Sequence, residues 1–199
     1  MKFIGITGGV GAGKSEIIDY LRSKPRILVK KADEVSKELM DADPRIQKEL
    51  STILGEDIFT ETGIIDRRKM ADKIFSSGDM KERVNNLLHP AVKDKILKYR
   101  DEAEASGLYD IFFIEAALLI EDGYDKICDE LWYVYADPEI RKRRLSDSRG
   151  YSRERSESIM GSQLSHEVFK EYCSRIIDNS GSLTQSFRDL DRIISGYTG

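Results

Sequence analysis

The chain contains five short apolar runs in which hydrophobic residues follow one another without regular polar alternation. Runs of this length and composition are typical of strands that are covered on both faces, as in a parallel sheet. They occupy residues 2–7, 26–30, 109–114, 130–136 and 172–177. Segments with helical spacing of their apolar positions separate them. This alternation predicts an α/β fold with three α/β/α layers, in which a parallel sheet of about five strands has helices on both faces.

A mainly helical segment interrupts the strand pattern over residues 33–107. Apolar residues recur at helical spacing after Pro44, a short helix capped by Asp66 is predicted over 66–75, and a longer helical stretch covers 81–105. Because proline lacks an N–H donor and clashes with the preceding turn, Pro90 is expected to end or restart that long helix. The segment is too long for a simple connection, so we expect it to bind a second substrate.

An arginine-rich segment follows the fourth apolar run, at residues 139–170. Asp137 and Pro138 are typical of a helix start. A charge run is often only a solvated helix face. Here it follows a strand of an acidic protein, which favours a mobile arginine-bearing lid over a polyphosphate. The chain is therefore expected to form one domain, with a core of residues 1–32, 108–138 and 171–199, a helical insertion (33–107) and a lid (139–170).

The first apolar run leads into a complete phosphate-binding loop pattern, G-x-x-x-x-G-K-[ST]. Its residues are Gly8, Gly9, Val10, Gly11, Ala12, Gly13, Lys14 and Ser15. Glycines let successive backbone N–H groups curl towards an anion, and the helix that follows adds the positive end of its dipole. Lys14 would reach the β- and γ-phosphates, and the Ser15 hydroxyl would ligate Mg²⁺. The alternative, a glycine-rich turn with a chance lysine, does not explain the strand–loop–helix context.

Two carboxylates follow predicted strands at the edge where open α/β sheets bind ligands. Asp33 comes just after the second strand, and it would either face the phosphate loop or cap the next helix. Glu115 ends the third strand, at the position where phosphate-loop proteins hold Mg²⁺ or its water. Helix capping is the alternative role for Glu115 as well.

Composition narrows the function classes. The net charge of −4 argues against a nucleic-acid-binding protein by bulk electrostatics. Cys128 and Cys173 are far apart and have no accompanying motif, so buried or half-buried thiols are expected rather than a disulfide framework or a metal site. No apolar run has membrane-spanning length, and Met1 leads directly into the first strand, so we expect a cytoplasmic protein without a signal peptide.

Several further stretches, in order, resemble the dephospho-coenzyme A kinase family along nearly the whole chain. After the loop come Ala32-Asp33, Leu88-His89-Pro90, the segment 115–121, which is similar to the family's D-x-P-L-L-x-E stretch, and Arg144-Leu145 with Arg149 at the lid. Gln163 lies where the family's lid helix has a glutamine, and residues 178–181 are similar to its late D-x-x-x-N-x-G region. Three positions depart from the family pattern: Lys31 replaces the first aspartate of Asp-Ala-Asp, Glu115 replaces an aspartate, and Ala117 replaces a proline.

The resemblance implies a phosphate-loop kinase fold and transfer of the γ-phosphoryl group of ATP to the ribose 3′-hydroxyl of dephospho-coenzyme A, the last step of coenzyme A synthesis. It implies that Asp33 is the catalytic base and that Arg149 closes onto the transferring phosphate. His89 is a candidate for acceptor contact, although a lone histidine would equally form a hydrogen bond at a helix terminus. Mg²⁺ would be held by Ser15 and, through water, by Glu115. His166 is expected to be solvated. ATP and dephospho-coenzyme A are the expected partners, and oligomeric state stays open.

Two other functions fit parts of the pattern. One is another small-acceptor kinase of the same fold, for a nucleoside or a nucleotide. The other is a nucleotide-dependent switch, although the guanine-reading N-K-x-D element of such proteins is absent from the sequence.

Overall fold

The computed structural model of the protein describes residues 1–197. One five-stranded sheet runs through it, in the order β2-β3-β1-β4-β5. The strands are β1 (Lys2–Thr7), β2 (Ile27–Lys31), β3 (Ile111–Glu115), β4 (Glu130–Tyr135) and β5 (Arg175–Asp178). β1 pairs in parallel with both β3 and β4, and β4 pairs in parallel with β5. The predicted parallel sheet of about five strands is therefore confirmed.

Helices connect these strands. Those of the first half are α1 (Lys14–Arg22), α2 (Ala32–Ala42), α3 (Pro44–Leu54), α4 (Arg67–Ser76) and α5 (Gly78–Ser106). Those of the second half are α6 (Pro138–Arg149), α7 (Arg153–Gly161), α8 (His166–Tyr172) and α9 (Leu183–Ile194). No helix within residues 1–197 has both the length and the apolar character that crossing a membrane requires.

Alternate residues of the central strands face opposite sides of the sheet. On one side, Ile4 and Ile6 of β1 share a buried cluster with Trp132 of β4 and with residues of α1 and α9, such as Ile17 and Leu190. On the other side, the ring of Tyr133 stacks on Phe169 of α8, with 4.5 Å between the ring centroids. The central strands are thus covered on both faces, which is why their sequences show no polar alternation.

The predicted helix caps at Asp66 and Asp137 are confirmed. Asp66 accepts hydrogen bonds from the backbone N–H groups of Arg68 and Lys69 at the start of α4. Asp137 caps α6 with Pro138 in its first turn. At α9, where the sequence allows either Ser182 or Thr184 to begin the helix, Ser182 is the cap. Such caps depend on a few neighbouring residues, so the sequence alone identifies them.

Two predicted boundaries were wrong. Pro90 lies inside α5, which continues through it, so the proline neither ends nor restarts the helix. The last apolar run divides between two elements: Tyr172 ends α8, and β5 begins only at Arg175. At Pro90, the packing of α5 outweighs the cost of the missing N–H donor. At Tyr172, the run is too short to distinguish a helix from a strand by its apolar pattern.

The chain divides into two compact units, Met1–Lys30 with Glu102–Gly199, and Lys31–Asp101. The first unit contains the core described above. The second unit, hereafter the helical unit, has a hydrophobic core of its own. That core includes Met40, Ile46, Leu50, Leu54, Ile58, Ile65, Met70, Val84 and Leu88. The helical unit therefore has the internal packing of an independent body.

Candidate active site

The phosphate loop joins β1 directly to α1, as the sequence predicts. Gly13 precedes the helix with a left-handed backbone, at φ 82°, which glycine adopts without a steric penalty. Lys14 is the first residue of α1, and its Nζ donates a hydrogen bond to the carbonyl oxygen of Gly8 at 2.5 Å. The lysine side chain thus folds back along the loop, and the helix N-terminus adds a partial positive charge beside it.

Gly11 and Gly13 have no room for a side chain, and both have positive φ angles that favour glycine. A Cβ atom on Gly11, where φ is 76°, would lie 2.9 Å from the backbone oxygen of Arg141. A Cβ atom on Gly13 would lie 2.3 Å from Nδ2 of Asn179. The loop is therefore closely packed by other parts of the chain.

The Ala12 carbonyl is held by two residues that are distant in sequence. Nδ2 of Asn179 donates to it at 2.8 Å, and Nη1 of Arg144 donates to it at 3.3 Å. Arg144 also donates from Nη2 to the carbonyl of Asn179 at 2.8 Å. Asn179 is buried, and its Oδ1 accepts from the Ser186 hydroxyl. The end of β5, α6 and α9 are thus all connected to the loop.

Arg141 and Gln163 hold the loop at Val10. Nε of Arg141 donates to the Val10 carbonyl at 2.8 Å, and Oε1 of Gln163 accepts from the Val10 N–H at 3.1 Å. Nη2 of Arg141 also donates to that Gln163 oxygen, at 2.7 Å. The sequence identified Arg141 only as one member of an arginine cluster. Arg141 and Arg144 are three residues apart, which places them on one face of a helix, and this spacing was the sequence signal that the two could act together.

Arg149 is predicted to cover the transferring phosphate, but unlike Arg141 and Arg144 it forms no hydrogen bond to the loop within residues 1–197. It is the last residue of α6, it is exposed, and its guanidinium carbon lies 5.9 Å from the ring centroid of Tyr151. The role of Arg149 stays a prediction.

Ser15 and Glu115 supply oxygen atoms at the same end of the sheet. Ser15 is the second residue of α1, and Glu115 ends β3 beside Ile6 of β1. No helix starts directly after Glu115, so its alternative role as a helix cap is wrong. Residues 1–197 contain no group of three His, Cys, Asp or Glu side chains suited to a metal. A hydroxyl and one carboxylate nevertheless fit Mg²⁺, which keeps several waters and binds substrate phosphates rather than a protein cage.

Asp33 and His89, the predicted base and acceptor contact, belong to the helical unit. Asp33 is exposed in the first turn of α2, two residues beyond the end of β2. Lys31 occupies the N-cap position of α2, so capping by Asp33 is wrong. His89 lies within α5 and is half-buried. These positions leave the proposed roles of both side chains open to test.

The sequence missed an aromatic cluster beside the loop. The His166 ring packs 4.8 Å from Tyr135 and 5.7 Å from Tyr133, measured between centroids, so the expectation of a solvated histidine was wrong. Nδ1 of His166 and the hydroxyl of Thr7 are buried, and neither has a hydrogen-bond partner among residues 1–197. Only tertiary packing brings the α8 histidine to these β4 tyrosines, and no local pattern would have indicated it.

The helical unit contains a cavity of about 840 Å³ formed by parts of α2, α3 and α5. Its walls combine apolar residues such as Leu39, Ile46 and Leu87 with charged side chains of both signs, including Lys98 and Asp94. Mixed walls of this kind suit a ligand that has both apolar and polar parts.

Comparisons with known proteins agree with this geometry. The family model for dephospho-CoA kinase matches residues 2–185. A dephospho-CoA kinase from Streptococcus mutans is 34% identical over 190 residues, which cover 96% of this chain and 94% of that protein. A dephospho-CoA kinase from Porphyromonas gingivalis is 38% identical over 160 residues, covering 80% of this chain and 76% of the relative.

A solved structure from Thermus thermophilus shares 28% identity and superposes with a TM-score of 0.76, covering 100% of this chain and 98% of the other. The fold, the phosphate loop and these similarities lead to one conclusion: the chain belongs to the dephospho-CoA kinase family.

Proposed function

We propose that the protein transfers the γ-phosphoryl group of ATP to the ribose 3′-hydroxyl of dephospho-coenzyme A, which yields ADP and coenzyme A. The observation that carries the proposal is the match of the family model to residues 2–185, which includes the complete phosphate loop. In this reaction the bond between the γ-phosphorus and the oxygen of ADP breaks, and a bond from phosphorus to the ribose oxygen forms.

The loop is the donor half of the site. Phosphoryl transfer depends mainly on in-line positioning and on neutralisation of charge. Lys14 and the N–H groups of residues 8–15 would hold the β- and γ-phosphates. Mg²⁺ would be bound by the Ser15 hydroxyl and, through water, by Glu115, and it would neutralise charge on the same phosphates.

The helical unit is the proposed acceptor half. Asp33 would accept the proton of the ribose hydroxyl and orient it, and His89 would contact the acceptor. The cavity of the helical unit supports this assignment, because its volume and its mixture of apolar and charged walls suit a ligand with both apolar and polar parts, as dephospho-coenzyme A has. Arg149 would approach the transferring phosphate from the lid (139–170), where closure would exclude water.

The experiment is to incubate the protein with ATP, Mg²⁺ and dephospho-coenzyme A and to follow coenzyme A by mass spectrometry. Lys14→Ala is the matched control, because it removes the loop cation and should abolish product while the rest of the protein stays folded. A panel of nucleosides and nucleotides is tested in parallel.

Phosphorylation of a nucleoside or nucleotide without conversion of dephospho-coenzyme A would replace this proposal with the other small-acceptor kinase. Equal ATP hydrolysis with and without every acceptor would favour a nucleotide-dependent switch.

A further inference from the structure

Arg141 differs in its environment from Lys142 and Arg143, the two cations that follow it on α6. Lys142, the next residue, pairs with Glu139 at 2.8 Å and with Glu157 at 2.7 Å. Arg143 is exposed to solvent. Arg141 is half-buried, and no acidic side chain within residues 1–197 forms an ion pair with it. Burial lowers the pKa of the Arg141 guanidinium below its ordinary value. A guanidinium that has lost part of its hydration and has no carboxylate partner is stabilised by an anion.

The known hydrogen bonds of Arg141 leave part of its guanidinium available. The group has five N–H donors. One N–H on Nε reaches the Val10 carbonyl, and one on Nη2 reaches Oε1 of Gln163. The other three N–H groups have no partner in the part of the chain that the structure describes. Both existing partners are neutral, so they position the guanidinium without cancelling its charge.

The position of the guanidinium points to the kind of anion. A Cβ atom on Gly9 would lie 2.2 Å from Nη2 of Arg141, so the group lies directly against the loop backbone. That loop is the segment whose N–H groups and Lys14 would bind polyphosphate. Planar guanidinium groups bind phosphate oxygens through paired hydrogen bonds.

We propose that Arg141 is a second cation, beside Lys14, for the polyphosphate of the bound nucleotide, and that Val10 and Gln163 hold it in position. This inference rests on the nucleotide-binding part of the proposed function and is independent of the acceptor. It places a phosphate contact near the start of α6, in addition to the contact proposed for Arg149 at the end of that helix. Because Gln163 lies between α7 and α8, it also connects the end of the lid to the same phosphate-binding group.

The test measures affinity as a function of phosphate number. Dissociation constants for AMP, ADP and ATP are determined by calorimetry for the wild type, Arg141→Gln and Arg143→Gln. Arg143→Gln is the matched control, because it removes an exposed arginine from the same helix. We expect Arg141→Gln to weaken ATP binding at least about tenfold and AMP binding by less than about threefold, since charge-assisted hydrogen bonds to phosphate are lost. Arg143→Gln should change both by less than about twofold.

If Arg141→Gln lost affinity for AMP and for ATP by the same factor, the role of Arg141 would be purely structural and the proposal would be overturned. The proposal would also be overturned if Arg141→Gln and Arg143→Gln bound ATP with equal affinity. A wild type that binds neither ADP nor ATP would instead contradict the proposed function itself. The two failures are therefore distinguishable in one experiment, and neither depends on the acceptor.

A second variant keeps the test decisive if Arg141→Gln does not fold. Gln163→Glu has the same shape and can still accept from Val10, but it places a carboxylate 2.7 Å from Nη2 of Arg141. That carboxylate would neutralise the guanidinium, so the protein should remain folded and lose affinity for ATP more than for AMP, again by about tenfold or more. An unchanged ratio of ATP to AMP affinity in Gln163→Glu would overturn the proposal.

Discussion

At the scale of single residues, the proposed base Asp33 has a close neighbour of the same chemistry. Asp33 and Glu34 both lie in the first turn of α2, and both are exposed. Each carboxylate interacts favourably with the positive end of the helix dipole. A difference in their effects on catalysis would therefore separate a specific role of Asp33 from a general effect of charge at the helix start.

Asp33→Asn should lower kcat by at least about 100-fold, because the amide cannot accept the proton of the acceptor hydroxyl. ATP affinity should stay within about threefold of the wild type, since the loop is unchanged. Steady-state kinetics and calorimetry measure the two quantities. Glu34→Gln, the matched control, should retain kcat within about threefold, and a similar kcat for the two variants would remove Asp33 as the base.

At the scale of secondary-structure elements, the phosphate loop depends on elements that arrive much later in the chain. The backbone of α6 lies close to Gly11, and Arg141 and Arg144 of that helix donate hydrogen bonds to loop carbonyls. Asn179 directly follows β5, and its side-chain amide donates a hydrogen bond to the Ala12 carbonyl, 167 positions earlier in the sequence. The conformation of the loop is thus set by long-range packing in addition to its own glycines.

Asn179→Ala should lower the free energy of unfolding by about 1–3 kcal/mol, because buried hydrogen bonds to Ala12 and Ser186 are lost together. Chemical denaturation measures the change, and calorimetry should show weaker ATP binding as well. Asn86→Ala, an exposed asparagine of α5, is the control and should change stability by less than about 0.5 kcal/mol. Equal stability of the two variants would show that Asn179 does not hold the loop.

At the scale of the whole molecule, one carboxylate joins distant parts of the first compact unit. Glu130 begins β4 and accepts hydrogen bonds from Tyr197 at 2.7 Å and from Trp132 at 3.1 Å. Arg175 at the start of β5 forms an ion pair with it at 3.3 Å. Burial by itself would raise the pKa of Glu130, but the hydrogen bonds from Trp132 and Tyr197 and the charge of Arg175 outweigh it and lower the pKa.

The lowered pKa of Glu130 determines how the stability of the protein changes with pH. A carboxylate whose pKa is lower in the folded state stabilises the protein above its unfolded pKa, and this contribution is lost as pH falls through the folded pKa. Glu130→Gln should therefore lower the thermal unfolding midpoint at pH 7, and the difference from the wild type should shrink below about pH 4. Thermal melts at pH 7, 5 and 3 measure it. Glu171→Gln, an exposed carboxylate on α8, should show no comparable trend, and a constant difference for Glu130→Gln would contradict the assignment.

The sequence by itself determined the features that depend on near neighbours. The apolar runs identified the buried strands, the caps at Asp66 and Asp137 identified helix starts, and the loop motif identified the phosphate-binding segment. Each of these depends on backbone propensity, on capping hydrogen bonds or on burial of a continuous run, all of which are encoded within about ten residues. The family resemblance rested on the same local motifs, taken in order.

Only the tertiary structure decided which distant side chains meet the loop. The sequence shows Arg141, Arg144, Gln163 and Asn179. Their contacts with Val10 and Ala12, however, depend on how α6, the segment between α7 and α8, and the residues after β5 pack against the loop. His166 was misjudged for the same reason, since its environment is set by tyrosines of β4. Pro90 was misjudged because packing of a long helix outweighs a local propensity. Long-range packing energy has no signature in a short stretch of sequence, so these arrangements become evident only in the folded chain.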